Sequence, residues 1–188
     1  MRPHPVSPLR RLWVLLAACS VLPLWSAPLL IHRYSFTADA RDSVGSADGA
    51  LAGGAAISGG EVVLNGLGAY VDLPNGILSG LDSITIEVWL TDHNSGSWSR
   101  IFDLGNSSGG EGVAGSGTQY LFLTPQSGSG TLRGAITVSG AGAGEQLLEW
   151  PGTRLPADVR KHVVWTTDGA AQAGRLYVDG VLVAENNG

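Results

Sequence analysis

The sequence predicts an all-β fold, a sandwich or a barrel, from three observations. All 28 glycines fall after position 44 and, together with Ser, Asn and Asp, cut the chain into short apolar runs. About ten of those runs carry strand-like alternation, at turn spacings of roughly 8–15 residues that suit antiparallel sheets and not βαβ units. No heptad and no long 3.6-residue pattern runs through the chain.

The elements follow in order. "LIHRYSF" (30–36) sets His32, Tyr34 and Phe36 against Ile31, Arg33 and Ser35. "DARDSVGSADGALAGGAAISGG" (39–60) is turn-dense, with one short strand in "GALAGGAAI" (49–57). "EVVLNG" (61–66) and "GAYVDL" (68–73) come next, the latter with Ala69, Val71 and Leu73 on one face and Tyr70 and Asp72 on the other. "SITIEVWL" (83–90) is the cleanest strand: Ile84, Ile86, Val88 and Leu90 face one way, Thr85, Glu87 and Trp89 the other, with Trp89 expected beneath a neighbouring loop. "RIFDLG" (100–105), "QYLFLT" (119–124), "LRGAITV" (132–138), "QLLEW" (146–150) and "KHVVWTT" (161–167) continue the series, separated by the loops "NSSGGEGVAGSG" and "SGAGAG". The end reads as a hairpin: Asp179-Gly180 between two strands takes the positive φ angles of a type I′ turn.

The first residues read as an address. Arg2, Arg10 and Arg11 precede an apolar run from Leu12 to about Trp25, followed by small residues, as in a secretory signal peptide with a short helix, spanning 1–27. Cleavage after Ala27 is one outcome. The other is a lipoprotein signal, "LAAC", ending before Cys19, which would carry a lipid anchor. Either takes the protein out of the cytoplasm, secreted, periplasmic or on the cell surface. Cys19 is the sole cysteine, so no internal disulfide framework exists.

Composition narrows the partners. Residues 28–188 hold 8 basic against 16 acidic side chains, a net charge of −8, and Lys161 is the one lysine. Without a basic cluster, nucleic acid and anionic membrane are excluded as partners.

Six pieces in fixed order carry a family resemblance: "HRYSF" followed by "DSVG" (42–45), "VVLNGLGAYVDLP" (62–74), "SITIEVWL", "RIFDLG", "RKHVVWTTDG" (160–169) and "GRLYVDGVLVA" (174–184). The sequence from residue 28 to 188 resembles the laminin-G-like domains of the concanavalin A-like lectin/glucanase group, as found in bacterial secreted proteins. The resemblance implies a two-sheet antiparallel jelly-roll sandwich. It also implies further strands and an acidic segment after Gly188, so that the chain reads as C-terminally incomplete.

Related jelly rolls include glycosidases, which need a facing carboxylate pair. Glu87 stands alone on its strand; Glu145 and Glu149, four apart on one strand, lie about 13 Å apart and read as solvated side chains. No nucleophile elbow or phosphate loop occurs, so no enzyme activity is expected. His32, His93 and His162 lack metal-site spacing. The resemblance implies calcium as a cofactor at the "DSVG" turn through Asp42, which reads equally as a turn-former capping Gly45. For ligand stacking, Trp98 in "NSGSWSR" and Trp150 before Pro151 are the candidates. The reading is a secreted, non-catalytic recognition module for glycans or extracellular proteins. Its alternatives are a glycoside hydrolase of the same fold and a purely structural surface module.

Overall fold

The computed structural model describes residues 27–110, 112–113, 115–140 and 144–188. The apolar run of the expected leader, its helix and Cys19 lie outside the described residues. Residues 27–31 are irregular and exposed and belong to a different unit from His32–Gly188.

Twelve strands and no helix occur among the described residues. Two small ribbons come first: β1 (Ala50–Ala52) pairs with β4 (Tyr70–Asp72), and β2 (Ala56–Ser58) with β3 (Glu61–Val63). Gly53 and Gly54, at φ 61° and 90°, break "GALAGGAAI" into β1 and β2. A Cβ on Gly53 would sit 2.0 Å from the Gly68 carbonyl oxygen, so the turn admits no larger residue.

Two four-stranded antiparallel sheets form the sandwich. The first runs β12 (Val181–Asn186), β11 (Ala173–Val178), β10 (Lys161–Asp168), β5 (Ser83–Leu90). The second runs β6 (Phe102–Gly105), β7 (Tyr120–Thr124), β8 (Arg133–Thr137), β9 (Gln146–Glu149). Alternation decides which side chains meet between them. Val163 and Trp165 of β10 and Leu176 and Val178 of β11 face Leu121 and Leu123 of β7 and Leu148 of β9, with Leu132 and Leu155 closing the cluster. Ile84, Ile86, Val88 and Leu90 pack against it as their parity predicts. Trp165 is 1% exposed and leans on Gly134, where a Cβ would stand 2.1 Å from its ring. The hairpin turn is as expected, Asp179 and Gly180 lying at φ 50° and 79°. The Asp179 carboxylate is held below its ordinary range, chiefly by the Lys161 ammonium at 2.8 Å and then by the His162 amide.

One expected strand is absent. In "LIHRYSF" only Tyr34 forms a bridge, with Asp42, and Phe36 turns away at φ 55°. The Arg33 amide donates to the Asp42 side chain and its carbonyl accepts from Ser43, so a turn, not a ladder, satisfies the backbone here. Trp89 also departs from expectation. It is 59% exposed on the outer face of the first sheet, stacked on His162 across the strand pair at 4.3 Å, and the loop before β10 sends only the Arg160 guanidinium over it, 5.8 Å from the ring centroid.

Candidate functional site

The outer face of the second sheet is the reverse of its core face. Positions flanking the inward Leu121 and Leu123 put Tyr120 and Phe122 outward, and those flanking Gly134 put Arg133 and Ala135 outward. Asp103 opposes Phe122 from β6, and Leu147 opposes Ala135 from β9, with Glu145 two residues before it. Over this floor comes the loop joining β5 to β6, carrying Trp98 and Arg100. The result is a cleft of about 590 Å³ lined by Trp98, Arg100, Asp103, Tyr120, Phe122, Arg133 and Glu145, among others. That is an ordinary size for a small-ligand site.

Trp98 is fixed by its loop. Its φ of 69° is left-handed, a conformation that costs a non-glycine residue about 1–3 kcal/mol and persists only where the surroundings impose it. Here they do. The Trp98 amide donates to the Gln126 carbonyl at 2.8 Å, and its own carbonyl accepts from Arg100 Nη1 at 2.7 Å. Upstream, the buried Asp92 caps the Ser95 amide and is gripped by Arg154 at 2.7 Å, whose other nitrogen reaches Asn94. Gly128 leaves room for the indole, since a Cβ there would lie 3.3 Å from Nε1. The residue stays 44% exposed, with Arg100 and Arg133 guanidinium carbons 5.8 and 5.7 Å from the ring centroid.

The polar groups are paired. Arg100 Nε donates to Asp103 at 2.9 Å while its guanidinium covers the Phe122 ring at 4.3 Å. Arg133 Nη2 reaches Glu145 at 3.3 Å, and the Tyr120 hydroxyl donates to the other Glu145 oxygen. Burial and then the Glu145 hydrogen bond push the Tyr120 phenol up to about 12, so it stays a neutral donor. Arg133 Nε is buried with no hydrogen-bond partner among the described residues.

The expected site residues divide. Trp98 stands in the cleft. Trp150 lies half-buried against the core cluster, its amide bound to the Leu132 carbonyl, and forms no stacking surface with Trp98. Asp42 is buried beneath five donors: the Arg33, Val44 and Gly45 amides on Oδ1, and the Ala47 amide and His32 Nδ1 on Oδ2. Burial alone would raise its carboxyl, but the His32 and backbone hydrogen bonds outweigh it and hold the group far below the usual carboxylate range. Converging N–H dipoles do not fit calcium, which needs free carboxylate and carbonyl oxygens. The turn-former geometry, Asp42 onto the Gly45 amide at 3.0 Å, is what the structure shows. No cluster of three or more metal-ligating side chains occurs among the described residues.

The carboxylates also differ from expectation. Glu145, only 12% exposed, is an ion-pair partner and not a solvated strand residue, and Glu149 accepts from Thr131. Glu87 sits on the other sheet, bonded to His162 at 2.8 Å. Reading the sequence alone missed Arg100, Tyr120, Phe122 and Arg133. The signal was present in "QYLFLT" and "LRGAITV", where an aromatic or a cation alternates with core residues.

The Laminin_G_3 profile, described as the concanavalin A-like lectin/glucanases superfamily, matches residues 65–188. No curated protein matches the sequence. Among solved structures the chain is similar to one described as domain 4 of AbnA, a GH43 extracellular arabinanase from Geobacillus stearothermophilus, in complex with arabinotriose. The two share 20% identity at a TM-score of 0.62, covering 82% of this chain and 73% of that one, which speaks for the fold. With two antiparallel sheets packed as a sandwich and a family profile spanning both, the chain belongs to the Laminin_G_3 family of concanavalin A-like lectin/glucanases.

Proposed function

We propose that this protein is an exported, non-catalytic carbohydrate-recognition module whose ligand lies in the cleft beneath Trp98. The observation that carries this is one exposed indole, imposed in a left-handed conformation and flanked by paired Arg, Asp, Glu and Tyr side chains. A sugar ring offers an apolar C–H face to an aromatic ring and hydroxyls to fixed donors and acceptors, and this cleft supplies both.

Hydrolysis is a poorer fit. Asp103 on β6 and Glu145 beside β9 arise from opposite edges of the four-stranded sheet, and neither carboxylate is free to act as an acid or a nucleophile. Each is also neutralised by an arginine. The similar arabinanase domain, described in complex with arabinotriose, makes that trisaccharide the first probe. Isothermal titration should show binding of a neutral oligosaccharide, weakened at least about tenfold by Trp98→Ala, with no reducing ends released from the probe. Binding that ignores Trp98→Ala, or no glycan bound at all, overturns the reading.

A further inference from the structure

Taking the cleft as a glycan site, we infer that it selects neutral oligosaccharides and rejects uronates and other anionic glycans, because each of its cations already holds a carboxylate of its own. From the loop before β6 comes Arg100, paired with Asp103 of β6 at 2.9 Å. From β8 comes Arg133, paired at 3.3 Å with Glu145, which precedes β9. The four charges sum to zero, and Tyr120 adds a neutral hydroxyl.

Pairing removes charge without removing hydrogen bonding. A guanidinium has five N–H donors. Arg100 uses Nε on Asp103 and Nη1 on the Trp98 carbonyl; Arg133 uses Nη2 on Glu145. Arg133 Nε is buried, and the remaining Nη donors suit hydroxyl oxygens, which need a donor but no counter-charge. A carboxylate is a different guest. To gain an ion pair it must displace Asp103 or Glu145. Otherwise it rests against the already neutral Arg100–Asp103 pair, with no cation left to repay its lost hydration. An unmatched cation within about 10 Å at intermediate dielectric would strengthen uronate binding roughly tenfold, and this cleft offers none. The net charge of −8 on residues 28–188 repels polyanions at longer range as well.

The test sets arabinotriose and neutral xylo- and galacto-oligosaccharides beside oligogalacturonate and oligoalginate of similar length, titrated into the full chain at low and moderate salt. Neutral probes should bind in a Trp98-dependent, salt-insensitive way, and uronates at least about tenfold more weakly. Asp103→Asn and Glu145→Gln each leave one arginine unmatched and should shift the uronate-to-neutral affinity ratio by roughly tenfold toward uronate. The exposed Asp103 keeps the test usable if the more buried Glu145 variant folds poorly. Trp98-dependent binding of uronates as tight as neutral probes overturns the selectivity and leaves glycan recognition standing. So does a ratio unmoved in a folded variant. Binding of neither class overturns glycan recognition itself, and the selectivity with it.

Discussion

Gly134→Ala tests the packing that holds the cleft floor in place. An alanine Cβ at this position would lie 2.1 Å from Trp165 Cζ3, 3.0 Å from Cε3 and 2.8 Å from the Phe122 carbonyl oxygen. Carbon atoms in ordinary contact stand about 3.5–4.0 Å apart, so the ring must retreat by about 1.5 Å. It has little room to do so, being 1% exposed and set edge-on against Phe102 at 6.3 Å. Overpacking of this kind costs about 1–3 kcal/mol, and a clash with both a ring and a backbone oxygen belongs near the top of that range. Thermal unfolding should therefore fall by roughly 5–10 °C for a domain of this size. The companion variant is Trp165→Leu, which removes the obstructing ring and alone costs about 2–4 kcal/mol. The double variant should be more stable than the sum of the single costs by at least about 1 kcal/mol, because the new methyl then occupies vacated space. Calorimetry of the four proteins reads out the cycle. An unshifted Tm in Gly134→Ala, or simple additivity in the double variant, would refute the reasoning.

Two further outcomes follow from the side chains outside the cleft. Asp42 has a depressed folded-state pKa, so its stabilising effect is complete above the ordinary carboxylate range and is lost as pH falls through the lowered value. Its carboxyl carbon should titrate below the usual range by NMR. Asp42→Asn should speed amide exchange at Gly45 and Ala47, and added calcium should leave Tm unchanged; a calcium-dependent rise would contradict the five-donor geometry. Trp89→Ala should lose its stack on His162, worth about 0.5–1.5 kcal/mol, while leaving oligosaccharide affinity within about twofold; a large loss would move the site to the outer face of the first sheet.

Much of the sandwich could be read from the sequence because its signals are local. Eight alternating residues sufficed for β5, and the Asp179-Gly180 dipeptide for the hairpin. The segment 30–36 alternates just as well, yet its backbone partners come from the Asp42 side chain and Ser43, ten residues on, which no period-2 pattern reveals. Trp150 reads as a stacking candidate at the end of "QLLEW" because Pro151 follows it; its place against the core depends on Leu132, eighteen residues earlier. The cleft was harder still. Tyr120 meets Glu145 across β8, a meeting fixed by the pairing of Tyr120 with Thr137 and of Ala135 with Leu147. Register of this kind is a property of the assembled sheet.

Three tryptophans show how backbone position, and not residue type, assigns a role. Trp89 and Trp165 sit on adjacent strands of one sheet, but Trp165 pairs with Ile86 and faces the core, whereas Trp89 pairs with His162 and faces out. A one-residue slip of β10 would exchange Trp165 for Val164 or Thr166 at the core face and empty the space that Gly134 leaves. Trp98 belongs to no strand. Its exposure follows from a left-handed backbone that the Gln126 carbonyl, Arg100 and the Asp92–Arg154 pair impose from three separate segments. A tryptophan placed against its own backbone preference, 44% exposed above paired charges, is strain retained at one position, as a site that must hold an indole open would require.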